Sequence, residues 1–197
     1  TIRPTKQDRD SLGLHYGYQN QGHEHEINIE HIDMGVNGTA ALPMDIIFFR
    51  GERYNMKHSD ILANGNQYDI TLRYQDIDHR MDNYSHRTNS NPMMHRFVTP
   101  DVQAGGVSFS YNMANWTVGF DADQAEHNAT VFNPNNAAFF VESFNDVERD
   151  RYSIFTEWQG EISEHWEMEA GLRYSRIEMD AGNVDSFAGL PMAVGVL

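Results

Sequence analysis

Residues 67–81 read QYDITLRYQDIDHRM, and from 67 to 75 they alternate without a break. Tyr68, Ile70, Leu72 and Tyr74 fall on one face; Gln67, Asp69, Thr71, Arg73 and Gln75 fall on the other. A period of two with unlike faces is the signature of a β-strand, because successive side chains point to opposite sides of a sheet. The apolar face has aliphatics in the middle and a tyrosine at each end. A strand that crosses a bilayer is built this way, with apolar side chains in the hydrocarbon and amphipathic rings at the interfaces. The charged face suits a wet lumen. Extended by the same period, the pattern puts His79 and Met81 on that polar, inward side.

Working outward, further strands are expected at residues 8–18, 24–32, 45–56, 102–111, 116–123, 151–160 and 165–179. Leu12, Leu14, Tyr16 and Tyr18 share one face of the first; Trp166, Met168, Ala170, Leu172 and Tyr174 share one face of the last. The 45–56 stretch is less clean, because Ile46-Ile47-Phe48-Phe49 is apolar on both faces. Short turns are expected at Asn20-Gln21-Gly22, Ala63-Asn64-Gly65-Asn66, 112–115 and 162–164. The connections between them, 33–44, 82–100 and 124–147, are long and read as irregular, as does the tail, 181–197. Short turns at one end and long loops at the other are the sidedness of an outer-membrane barrel. Tyr111 with Trp116, and Trp158 with Trp166, flank short turns and form one aromatic girdle. The expected fold is all-β: about eight antiparallel, up-and-down strands of a transmembrane β-barrel. A soluble all-β module that binds sugar through aromatic, Asp and Asn side chains would also alternate, but its connections need not sort by length.

Bulk properties narrow the function. The 197 residues carry a formal charge of −15, with a pI near 4.9. This argues against nucleic acid, since binding a phosphate backbone needs a basic surface. Mean hydropathy is −0.62. No run approaches the roughly 18 apolar residues of a transmembrane helix, whereas barrel strands bury only alternate residues and keep hydropathy ordinary. There is no cysteine, hence no disulfide, thiolate metal site or cysteine nucleophile. No apolar signal-peptide core follows Thr1.

Four segments carry a family likeness: GTAALPMDIIFF (38–49), YQDIDHRMDNYSHR (74–87), FFVESFNDVERDRYSIFTEWQ (139–159) and WEMEAGLRYSRIEMD (166–180). From about residue 8 to its end the chain resembles the barrel of TonB-dependent outer-membrane receptors. The HRMDNYS segment resembles the copper-receptor branch more narrowly. The resemblance implies that residues 1–197 are a partial wall of a barrel of about 22 strands, without the plug and its TonB-contacting box. It further implies active uptake across the outer membrane of a Gram-negative bacterium, with TonB and outer-membrane lipid as partners. Copper, or a copper-bearing chelate, would be cargo, with no intrinsic cofactor and no enzymatic activity. A ferric-siderophore receptor is the alternative within the family.

Copper(I) is soft and takes thioethers and imidazoles. Met and His stand two residues apart at His79-x-Met81, Met93-x-His95 and Met56-x-His58. On a strand this spacing puts both side chains on one face, about 7 Å apart at the backbone, close enough to grip one ion. The likeness to the copper branch implies that His79 and Met81 are lumen-side ligands. Met93, Met94 and His95, in the loop beyond, are further candidates. Met also fills apolar surface, as Met168 does, and His also sits in solvated loops. His23, His25 and His31 interleave with Glu24, Glu26 and Glu30, and beside a short turn these read as a solvated strand end. Asp76, Asp78 and His79 invite a catalytic reading, but no nucleophile accompanies them.

Overall fold

The computed structural model describes residues 7–38 and 42–186. Among them are nine strands: β1 (Arg9–Asn20), β2 (His23–Met34), β3 (Asp45–Ile61), β4 (Gln67–Asp82), β5 (Phe97–Val98), β6 (Asp101–Met113), β7 (Trp116–Asn133), β8 (Asn136–Ser163) and β9 (Trp166–Asp180). All pair antiparallel in one sheet, with β6 and the short β5 both lying between β4 and β7. The sheet is open, and β1 and β9 each pair on one side only among the described residues.

Register explains the faces. At the level of Leu72 the outward row runs Tyr16, Ile27, Met56, Leu72, Val107, Ala122, Tyr152. The adjacent inward row runs His15, Asn28, Asn55, Arg73, Gly106, Asp123, Arg151. A slip of one residue would exchange the two rows, so the pattern itself pins the pairing. Outward apolar side chains are bare: Leu12 is 74% exposed and Leu172 73%. A continuous apolar face of this size has no place in water. Rings bind it laterally, with Tyr68 and Phe109 centroids 6.5 Å apart and Phe109 and Phe120 5.8 Å apart. Trp116 pairs with Trp158 beside the short turns, and Tyr54, Tyr74 and Tyr152 mark the opposite boundary. Tyr68 to Tyr74 covers about 20 Å of strand, which places the hydrocarbon band of β4 between those rings.

Several sequence expectations change. The strands number nine rather than eight, because 82–100 holds a 3-10 turn, Pro92–Met94, and β5. Residues 124–147 are not a loop: β7 and β8 continue as one long hairpin closed at Pro134-Asn135. Hydropathy does not alternate there, and register shifts interrupt the pairing between His127 and Thr130. β3 runs on to Ile61 rather than 56, its end being polar on both faces. The doubly apolar run at 46–49 contains a bulge, with Ile46 opposite Met81 and Phe48 opposite Arg80; the extra residue puts these two side chains, two positions apart, on opposite faces. The start of the tail is not loose: Gly182 N donates to Asn145 O at 2.8 Å and Glu142 N to Asp185 O at 3.0 Å. Residues 187–197 lie outside the described residues, as do 1–6 and 39–41.

Candidate metal site at the inner rim

Five residues past Tyr74, His79 stands clear of the hydrocarbon band on the inward face of β4, with Met81 next on the same face. The expectation of a polar inward face fails at this height. Ile32, Gly51, Ile77 and Val102 share one inward row; Ile46, Met81, Val98, Val131 and Val141 share another. Past the aromatic boundary the outward face carries Asp33, Arg50, Asp78 and Asp101 in one row, so it is the outward face that is polar there. Asp76 and Asp78 accordingly lie on the face opposite His79, which dismantles the catalytic reading of that trio.

His79 is held against aromatic surface, its ring centroid 5.9 Å from that of Phe49. Its Nδ1 is buried and has no hydrogen-bond partner. Burial pushes the imidazole pKa below its ordinary value, opposed only in part by the Asp78 charge. The ring is therefore neutral near pH 7, which is the form that ligates a metal. Met34 lies on the same inward side, opposite Phe49, and its thioether accepts a weak contact from Asn37 Nδ2 at 3.8 Å. Nothing in the sequence singles out Met34, because Ile32 and Val36 occupy the positions two residues away.

The loop above is tied down at both ends. Asp82, 1% exposed, accepts from Tyr84 N at 3.1 Å and Ser85 N at 2.8 Å through Oδ1. Arg87 grips Asp45 with two hydrogen bonds of 2.7 Å and also donates to Met44 O. Asp45 pairs with Asp82, one step from Ile46 and Met81, so this clamp borders the candidate site. At the far end, Asn91 caps the 3-10 turn by accepting from Met93 N. His95 stacks on Tyr84 at 4.7 Å. Its Nε2 lies 2.9 Å from Asn89 O and its Nδ1 3.0 Å from Asn135 Nδ2, at the tip of the β7–β8 hairpin. A carbonyl accepts and an amide NH2 donates, so this pair assigns the Nε2–H tautomer. Asn133 and Asn135 add hydrogen bonds to Met93 O and Pro92 O.

The candidate residues thus separate. His79 and Met81 come together on one inward face. Met93 and Met94 present side chains 57% and 56% exposed from the loop. Both ring nitrogens of His95 are engaged in fastening that loop. Met56 and His58 point outward, opposite Leu72 and Ile70. The pleat parts the His23, His25 and His31 face from the Glu24, Glu26 and Glu30 face, and Glu24 and Glu30 approach Lys57 and Arg53 at 3.7 and 3.5 Å. Among the described residues no three His, Asp or Glu side chains converge on one point.

Residues 3–194 match the family described as TonB dependent receptor-like, beta-barrel. The chain belongs to the TonB-dependent receptors. This membership overturns the soluble sugar-binding alternative. A solved structure titled "Copper transporter OprC" superposes with a TM-score of 0.75 at 18% identity, covering 91% of this chain and 30% of that one. At that identity the likeness speaks for the fold. This chain therefore spans about 30% of the length of the receptor it superposes on. No curated protein sequence matches it.

Proposed function

We propose that residues 1–197 form part of the wall of an outer-membrane transporter that takes up copper, or a copper-bearing ligand, with energy delivered through TonB. The receptor's plug would lie in segments beyond this one. In this reading His79 and Met81 are the barrel's share of a soft-metal site at the inner rim, with Met93 and Met94 above them on the clamped loop. The observation that carries the reading is the His79 imidazole: half-buried beside Phe49, with a buried, partnerless Nδ1 and a thioether two residues along the same face. A buried polar atom without a partner costs free energy, and a soft cation on that lone pair would supply the missing contact.

The reading is tested by copper accumulation in cells expressing the full-length receptor, with TonB intact and with TonB deleted. Accumulation that needs both receptor and TonB is the expected result. Equal copper accumulation in every strain, alongside ferric-siderophore uptake that needs both, would transfer the assignment to the siderophore alternative.

A further inference from the structure

The outward face of the sheet brings two imidazoles together far from the rim. His25 of β2 and His58 of β3 stand directly opposite one another. Their rings stack at 4.5 Å between centroids and 17° between planes. Tyr18 of β1 flanks His25 at 6.2 Å, and Tyr68 of β4 flanks His58 at 5.5 Å. Elsewhere the same outward row is apolar or aromatic: Ile70, Phe109, Phe120, Ile154 and Tyr174. Ile27 and Met56 continue the apolar face on one side of the pair, and the Gln21-Gly22 turn lies on the other. The pair therefore sits at the short-turn boundary of the hydrocarbon band. A tyrosine serves such a boundary with a single polar atom. Two imidazoles side by side bring four ring nitrogens.

The hydrogen bonds say which nitrogens are available. His58 Nδ1 lies 3.3 Å from the backbone oxygen of Glu24, which can only accept, so this nitrogen carries the proton. The lone pair is then on Nε2, where it accepts from Tyr68 Oη at 3.1 Å. Tyr68 Oη also reaches Asp60 Oδ2 at 3.4 Å, so its hydroxyl has a second acceptor to turn to. His25 is exposed, and its ring makes no hydrogen bond among the described residues. One row nearer the turn, His23 Nδ1 lies 2.9 Å from Asp60 Oδ1, and these two are already matched to each other. The wall thus offers two lone pairs, one from each strand. Imidazole nitrogens bind zinc at about 2.0–2.1 Å, which in a tetrahedral shell puts two of them about 3.3 Å apart. The stacked rings reach that spacing by tilting together about 1 Å at their edges. An imidazole pair without a thiolate suits a borderline divalent ion such as zinc or nickel.

We infer that His25 and His58 form a divalent-metal site on the outward face, in which one zinc-like ion clamps β2 to β3 and water completes the shell. The site is independent of the transport reading: it lies on the face opposite His79 and about 30 Å along the sheet from it. Metal competes with protons for the same lone pairs, so binding weakens on acidification. Because the ion bridges two strands of the folded wall, it also stabilises the barrel by mass action.

Zinc(II) is the probe, titrated calorimetrically into the purified full-length receptor and into its His25→Phe and His58→Phe variants. Phenylalanine keeps the ring stack and removes the nitrogens. A saturable zinc site is expected in the unmutated receptor, weakened about ten-fold or more by either change. Tyr68→Phe removes the hydroxyl that occupies His58 Nε2 and should tighten binding about three-fold, a gain that a misfolded wall cannot give. Zinc held elsewhere in the receptor would appear in every variant alike. Equal zinc affinity in the unmutated receptor and both histidine variants overturns the inference, as does a receptor that binds no zinc at micromolar concentrations. Should a histidine variant fail to fold, a Tyr68→Phe receptor with no gain in affinity overturns it. The His79→Ala, Met81→Ala double variant should keep this zinc site, so the two sites stand or fall separately.

Discussion

Replacing Arg87 by Met is the sharpest perturbation of the rim. The side chain keeps its length and loses its charge and donors. Arg87 and Asp45 are 12% and 7% exposed at the side chain and joined by two hydrogen bonds of 2.7 Å. Breaking one side of a buried pair costs about 3–5 kcal/mol, because the charge left behind loses its ion-pair partner. Removing both charges in Asp45→Asn with Arg87→Met costs less, so the cycle has a coupling energy of about 2 kcal/mol or more. The assay is amide hydrogen exchange on the full-length receptor. Reporters are Tyr84 and Ser85, whose N–H groups donate to Asp82, and Arg96, whose N–H donates to Asn83 Oδ1. A loss of about 3–5 kcal/mol of local opening energy speeds exchange by two to four orders of magnitude, up to the rate of the open loop. The double variant should recover part of that protection. Exchange within about three-fold of wild type in Arg87→Met would refute the claim that this clamp holds the rim.

Other outcomes follow from the same geometry. Leu72→Arg, in the middle of the outward face, should destabilise the barrel by about 2–4 kcal/mol, read from urea unfolding in lipid vesicles; a neutral effect would place that face away from lipid. Gly119→Ala would bring a Cβ within 2.4 Å of Phe109 O and 2.5 Å of Phe155 Cζ. It should cost about 1–3 kcal/mol in the same assay, as overpacking does. His95→Phe keeps the stack on Tyr84 and loses both ring hydrogen bonds, about 1–3 kcal/mol. Proteolysis of the 83–96 loop should accelerate markedly while copper(I) affinity holds, because the imidazole belongs to the latch; a loss of copper affinity would show that His95 leaves the latch to bind metal.

The parts of the fold legible in the sequence are those that lipid constrains. Tyr68 to Tyr74, and Trp166 to Tyr174, alternate because one face must be apolar and the other polar, and no neighbour overrides that demand. Legibility ends where the bilayer ends. Residues 125–133 and 136–147 are as much strand as the rest, yet they carry bulges and mixed faces, and Pro134-Asn135 is a turn signal hidden among other asparagines. The placement of His79 and Met81 on one face follows from period two alone. Their apolar surroundings do not, since Ile32, Phe49 and Val98 come from three other strands. The role of His95 rests on Asn89 and Asn135, the latter 40 residues away.

The most direct test of the proposed metal site is a copper(I) titration, under reducing conditions, of the full-length receptor beside its His79→Ala, Met81→Ala double variant. Unchanged exchange in the 83–96 loop would confirm that the rim is intact in the variant. The account predicts a loss of affinity of about ten-fold or more, since imidazole and thioether are the donors a soft ion takes. Binding of equal strength in the two proteins would contradict it and remove His79 and Met81 from the site.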